Sequence, residues 1–253
     1  MALTKVGKDG IIGVSNSADA NALFIDSSER VGVGATPNAT FGSHLYAQGT
    51  PAANKPIISA YSTGNSNKAG IGILNDAGNR GIWTDSNDLL FTTSYEGNST
   101  VHMKIDTNGI ITKPLQPAFM GKVGAQIANF AVGSAVTVPF SSEIFDQNLD
   151  YNTNGTFTAP VTGKYQFNIL ILINNMDSAA SYYQIQFITS NRTYYHTQDA
   201  RGFDTDILYK NMDIAILADM DVGDTAIVKI YQSTGTQQSD LDAESYFTGF
   251  LAC

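Results

Sequence analysis

Residues 164–173 read KYQFNILILI, and their apolar pattern does not fit a helix. Tyr165, Phe167, Ile169, Ile171 and Ile173 recur every second residue, so in an extended chain they share one face. The other face begins polar, with Lys164, Gln166 and Asn168, and ends apolar, with Leu170 and Leu172. Such a strand starts at a wetted edge and finishes covered on both sides. It constrains the rest of the chain to supply a sandwich around it.

The downstream sequence meets that demand. SAVTVPF, SYYQIQFIT, RTYYHT, ILYKNMDIAIL, DTAIVKIYQS and ESYFTGFLAC are strand-like, and eight to ten strands are expected between Phe119 and Cys253. No segment there reads as a helix. Only 15% of the chain is charged, and much of its polarity comes from Asn, Thr, Ser and Gly, which disfavours helix. The fold class is all-β, with a sandwich or jelly roll in the C-terminal half.

The first 112 residues are different. They hold 14 of the 23 glycines, and their strand-like pieces are short: ALFID, RVGVG, PIISAY, GIGIL, RGIWT, LLFTT and VHMKID. Turn signals such as Asn108-Gly109 separate them. Strands this short do not build a self-sufficient core, and such sequences share a core between chains or stack repeats. Pro114 and Pro117 then mark an extended, strand-breaking connection. A domain boundary is expected here, dividing residues 1–112 from residues 113–253.

Charge excludes several partners. Residues 1–112 carry 7 basic and 9 acidic side chains, whereas residues 113–253 carry 7 and 14. An acidic surface repels phosphate backbones and anionic headgroups, so neither nucleic acid nor membrane insertion is expected. No apolar run approaches the roughly 18 residues of a membrane span. The start, MALTKVGKDGIIGVSNS, lacks a signal-peptide pattern. The single cysteine, Cys253, is expected as a small buried hydrophobe at the end of the last strand.

The spacing around the central strand resembles the signature of the C1q-like domain, a ten-stranded jelly roll of the C1q and tumour-necrosis-factor superfamily. The matching positions are Phe140, Tyr151, Phe157, Gly163, Tyr165 and Phe167, with Asp146 between the first two. Gly223-Asp224 matches the turn before a late strand. Ser245, Phe247, Gly249, Phe250 and Leu251 match the final strand. Two departures stand out: the gap from Tyr151 to Phe157 is one residue short, and Ile169 replaces an aromatic. The resemblance covers residues 116–253 and implies a homotrimer with these residues as motif core. Leu170 and Leu172 then face either the three-fold axis or the second sheet.

RVGVGATPNATFGSHLYAQG, residues 30–49, resembles a Val-Gly-Ile-Gly motif of phage tail-fibre proteins, and MKIDTNGIITKPLQPAF resembles the fibre-to-tip junction of marine and cyanobacterial phage fibres. These resemblances imply a structural, virion-located protein, with residues 1–112 as an N-terminal fibre shaft or attachment region and residues 113–253 as a C1q-like jelly-roll knob. Its N-terminal region would join other virion structural proteins, and its knob would bind a host cell-surface glycan or protein. The expected contact patch is Tyr182, Tyr183, Tyr194, Tyr195, Arg201 and Phe203, since exposed tyrosines suit recognition. Rival readings are a capsid head fibre or decoration protein, a polysaccharide-degrading tailspike and a bacterial adhesin.

Enzyme chemistry finds little support. Gly32-x-Gly34 is followed by Pro37 and by no βαβ unit, so a dinucleotide loop is not expected. His44, His102 and His196 form no metal pair, and no motif marks a nucleophile near His196, Asp199 or Asp204. Asp204/Asp206 and Asp219/Asp221/Asp224 keep a carboxylate pair or calcium open, although DMDVGD reads most simply as a solvated turn. No cofactor is expected otherwise.

Overall fold

The computed structural model describes residues 23–25, 31–33, 45–47, 68–75, 78–93 and 100–253. The expected strand PIISAY, His44, Pro37 and most of the fibre-like stretch 30–49 lie outside the described residues. No helix occurs among the described residues, and the chain is all-β.

Near the N-terminus, β1 (Leu23–Ile25) runs antiparallel to β2 (Val31–Val33), and β2 runs parallel to β3 (Leu45–Ala47). A second sheet follows in chain order from β4 (Lys68–Asn75) through β5 (Gly78–Asp85), β6 (Asp88–Thr92) and β7 (Val101–Ile105) to β8 (Ile111–Thr112). The Asn108-Gly109 turn is present. Gly109 has φ +80°, and the Asp106 carboxylate accepts the N–H groups of Asn108 and Ile110. The described residues fall in two units. One takes 23–25, 31–33, 45–47 and 68–71 with 84–86, and the other takes 72–75, 78–83, 87–93 and 100–253.

Twelve strands make the C-terminal sandwich: β9 (Ala118–Lys122), β10 (Val136–Thr137), β11 (Ser142–Asp146), β12 (Tyr151–Asn152), β13 (Thr156–Thr158), β14 (Gly163–Met176), β15 (Tyr182–Thr189), β16 (Thr193–Asp199), β17 (Ile207–Met220), β18 (Thr225–Ser233), β19 (Asp240–Leu241) and β20 (Tyr246–Leu251). Ten of them form two five-stranded paths. The first sheet is β11-β9-β20-β14-β17 and the second is β12-β13-β18-β15-β16. The remaining two are two-residue additions, β10 on β18 and β19 on β14. From β14 onward the chain crosses between the sheets four times, after β14, β16, β17 and β18, as in a jelly roll.

The alternation of β14 is realised along its length. Tyr165, Phe167, Ile169, Ile171 and Ile173 are all buried between the sheets. Leu170 and Leu172 are half-buried on the opposite face, away from the second sheet. An aromatic cluster fills one end of the core. Phe119 stacks on Tyr151 at 4.7 Å and on Phe157 at 5.0 Å, and meets Phe247 edge-on at 4.9 Å. Each such burial stabilises the fold by about 1.5–3 kcal/mol. Packing this dense leaves no room beside Gly249, where a Cβ would sit 2.6 Å from Phe167 Cδ1. Gly163 likewise lets the last residues approach: a Cβ there would lie 2.7 Å from the Cys253 carbonyl oxygen.

Three local expectations change. SAVTVPF forms a strand only over Val136–Thr137; the Val138 N–H adds one bond to the Val228 carbonyl at 2.9 Å, and Pro139, which has no N–H, ends the ladder, although Val138 and Phe140 still enter the core. The connection at Pro114 is a turn and not extended: Gln116 N–H donates to the Lys113 carbonyl at 3.0 Å, with Pro114 in the turn position its ring favours. Cys253 is exposed, not buried.

Candidate functional site

The residues that match the C1q-like signature assemble in one place. Phe140, Tyr151, Phe157, Tyr165, Phe167 and Phe247 are all buried. The Tyr151 hydroxyl donates to the Phe140 carbonyl at 2.6 Å, and Asp146 accepts the Tyr151 N–H at 2.9 Å. Those bonds explain the Phe-Asp-Tyr spacing: each position ties β12 to the segment before it. Burial, followed by the charges of Glu143 and Asp146, pushes the Tyr151 phenol well above its ordinary range, so it stays a neutral donor. Gly223 adopts φ +88° in the turn before β18, and Asp224 closes that turn by accepting the Asp221 N–H at 2.9 Å. Leu251 is half-buried against the core. Phe250 departs from the expectation: it is 46% exposed and points away from the core, because its neighbours Phe247 and Gly249 take the inward positions of β20.

Phe250 belongs to the open face of the first sheet. Strand register sets out the rows on that face. One row is Leu217, Gln166, Phe250 and Ala118, and the next is Ala215, Asn168, Thr248, Met120 and Phe145. Neither row contains a charge. A third row, Asp213, Leu170, Tyr246 and Lys122, carries charge only at its two ends. Leu217 is 58% exposed and Phe145 48%. Two adjacent uncharged rows with large exposed apolar side chains, bounded by rows that carry charge, have the composition of an interface centre.

The expected tyrosine patch divides between the two faces of the second sheet. Tyr195 is exposed and Tyr182 half-buried on the outer face, where Tyr182 lies 5.8 Å from Tyr231. Tyr183 is fully buried, and Tyr194 packs inward against Phe187 at 5.9 Å. These two are corrections to the patch: adjacent residues of a strand face opposite ways, and the inward member of each pair is claimed by the core. Arg201 is exposed and clamps Asp199 through two bonds of 3.0 and 2.8 Å. Phe203 is half-buried, with Lys210 Nζ 5.5 Å above its ring.

The open carboxylates act as loop fasteners. Asp219 faces Arg192 at 3.3 Å, and Asp224 also accepts Asn191 Nδ2 at 2.9 Å. His196 Nδ1 bonds the Asp213 backbone carbonyl and bridges the two sheets. Its neighbour Asp199 is taken by Arg201. Among the described residues, no three His, Cys, Asp or Glu side chains converge as a metal cluster.

At the end of the sandwich opposite Pro117 lies a polar cavity of about 380 Å³, built where the ends of β14, β17 and β19 meet three loops. Nothing in the sequence marked it, since its lining comes from segments far apart in the chain.

Comparison with known proteins agrees with this architecture. The C1q domain family profile matches residues 118–252. Among solved structures, the chain is similar to the globular domain of zebrafish complement 1qA protein, with 16% identity, a TM-score of 0.41, and coverage of 55% of this chain and 98% of that one. It is similar to murine APRIL, with 14% identity, a TM-score of 0.39, and coverage of 54% and 98%. It is also similar to the PRD1 vertex protein P5, with 9% identity, a TM-score of 0.35, and coverage of 54% and 97%. No curated protein matches. Through residues 118–252, with their signature aromatics packed in one core, the chain belongs to the C1q domain family.

Proposed function

We propose that this chain is a homotrimeric structural protein of a bacteriophage fibre. Residues 113–253 form a knob that binds the host surface, and the N-terminal region joins other virion proteins. The observation that carries the reading is a pair of adjacent uncharged rows on the open face of the first sheet, Leu217 to Ala118 and Ala215 to Phe145. A lone domain gains nothing by leaving Leu217, Phe250 and Phe145 in water, whereas three copies packed on these faces bury them. The order of the chain supports the rest, with fibre-like motifs before a C1q domain. Domains of this family bind rather than catalyse, and three equivalent sites convert weak single contacts into avidity on a repetitive surface. No helix among the described residues is long and apolar enough to cross a membrane.

Light scattering over a dilution series tests the assembly. A constant mass three times 27.1 kDa is expected, and a stable 27.1 kDa monomer overturns the reading. The fluorescently labelled trimer is then applied to a panel of bacteria that includes cyanobacteria. Saturable adhesion to some strains, displaced by unlabelled chain, is expected. Adhesion to none overturns host binding.

A further inference from the structure

The cavity at the free end of the sandwich is lined by Asn129, Asn175, Asp206, Gln237, Gln238 and Asp240, flanked by Ile207 and Leu208. Its volume of about 380 Å³ falls within the range of small-molecule sites. The two carboxylates are already engaged. Asp206 accepts the Ser178 N–H and hydroxyl on one oxygen, at 2.8 and 2.9 Å, and Gln237 Nε2 on the other at 2.8 Å. Asp240 accepts the Asn129 N–H at 2.8 Å, Gln126 Nε2 at 3.0 Å and Asn175 Nδ2 at 3.2 Å. Their work is to orient amides. Those amides keep spare capacity. Asn175 Oδ1 and Gln237 Oε1 accept no hydrogen bond from the described residues, and the Asn129 and Gln238 side chains make none with them.

Each free amide group donates or accepts, which suits a hydroxyl, itself both donor and acceptor. No Lys or Arg lines the cavity, so an anionic ligand would meet two carboxylates without a counter-charge. Each carboxylate already accepts three hydrogen bonds from the protein, so a cation would compete with those donors. Leu208, 59% exposed, offers an apolar side chain for the C–H face of a ring, while Ile207 beside it packs against the core. We propose that this cavity is a binding subsite for a neutral, hydroxyl-rich saccharide. The inference rests on the reading of the knob as a host-surface binder and names the chemistry that it reads.

Asn129 and Asn175 have φ of +55° and +54°, a conformation that glycine adopts without strain. Asn129→Gly and Asn175→Gly with Gln238→Ala therefore remove three of the four amides with spare capacity while keeping the backbone. The full chain and this triple variant are applied to an array of neutral and of sialic- or uronic-acid-bearing oligosaccharides. Retention of a subset of neutral oligosaccharides, weakened at least tenfold in the variant, is expected. Retention of acidic glycans alone, retention of none, or neutral binding that the variant leaves unchanged each overturns the subsite. The two readings fail differently. If chain and variant adhere equally to cells, the cavity is not the reader although the knob still binds. If neither adheres, the host-binding reading itself fails, and the array alone decides the cavity.

Discussion

The Tyr183 hydroxyl lies 2.6 Å from Ser239 Oγ and closes a relay of hydrogen bonds beneath the free end of the sandwich. The Asp177 N–H donates to Tyr183 at 2.9 Å, and Ser239 Oγ donates to the Asn175 carbonyl at 3.1 Å, which leaves Tyr183 as the donor to Ser239. Burial pushes the Tyr183 phenol up, so it keeps that proton. Tyr183→Phe preserves the ring and its contact with Phe130 but strands the buried Asp177 N–H and removes the donor to Ser239 Oγ. The expected cost is about 1–3 kcal/mol. Thermal melts should show a lower midpoint with an unchanged far-UV spectrum.

Asp177 anchors the loop that carries Gln237. Burial alone would raise its carboxyl, but the N–H groups of Gln237, Ala179 and Thr236 outweigh burial and hold it below its ordinary 3.8. A carboxyl lowered in the folded state adds stability that is fully present above the unfolded value and is lost as pH falls through the folded one. Wild type should therefore exceed Asp177→Asn by a constant margin from pH 5 to 7. That margin should shrink below about pH 4, where the unfolded carboxyl protonates. Denaturant midpoints measured across pH 2–7 for both chains check the sign.

Gly249 separates two rings that already touch. A methyl there would meet Phe167 Cδ1 at 2.6 Å and Phe119 Cε1 at 2.7 Å, and neither ring has room to retreat. Over-packing of this kind costs about 1–3 kcal/mol. Gly249→Ala should lower the urea midpoint accordingly. Gly202→Ala, where no atom lies within 4 Å of the new carbon, should leave it unchanged.

The central strands were legible because their two faces meet different surroundings. The alternation of Tyr165 through Ile173 has one register that buries every ring. β11 was not legible: it is an edge strand with a register shift between Glu143 and Phe145, and Ile144 and Phe145 are both exposed, so no alternation survives. The tyrosine pairs were half legible. Alternation says that one of each pair turns outward, but it does not say which, and the core took Tyr183 and Tyr194. The cavity was illegible for another reason. Asn129 and Gln238 meet only after the sheets form, and amides at such separations have no spacing rule to obey.

The open face of the first sheet allows a test in which folding and assembly are read separately. Leu217 and Phe250 lie on the outer face in a row bridged by Gln166, and both are largely in contact with solvent in the single chain. A charge at either position costs an isolated domain little, since exposed sites tolerate substitution within about 0.5 kcal/mol. Buried against two neighbouring copies, the same charge must be desolvated, and the nearest charged residues on that face, Lys164 and Asp219, lie one row away. Leu217→Lys and Phe250→Glu should each lower the mass from three chains toward one at micromolar concentration, with the β-rich spectrum and the monomer's fold retained. Tyr195→Glu, on the outer face of the second sheet, should leave the mass at three. If all three variants stay at three chains, the copies pack through another surface. If Tyr195→Glu alone dissociates them, that surface is the second sheet.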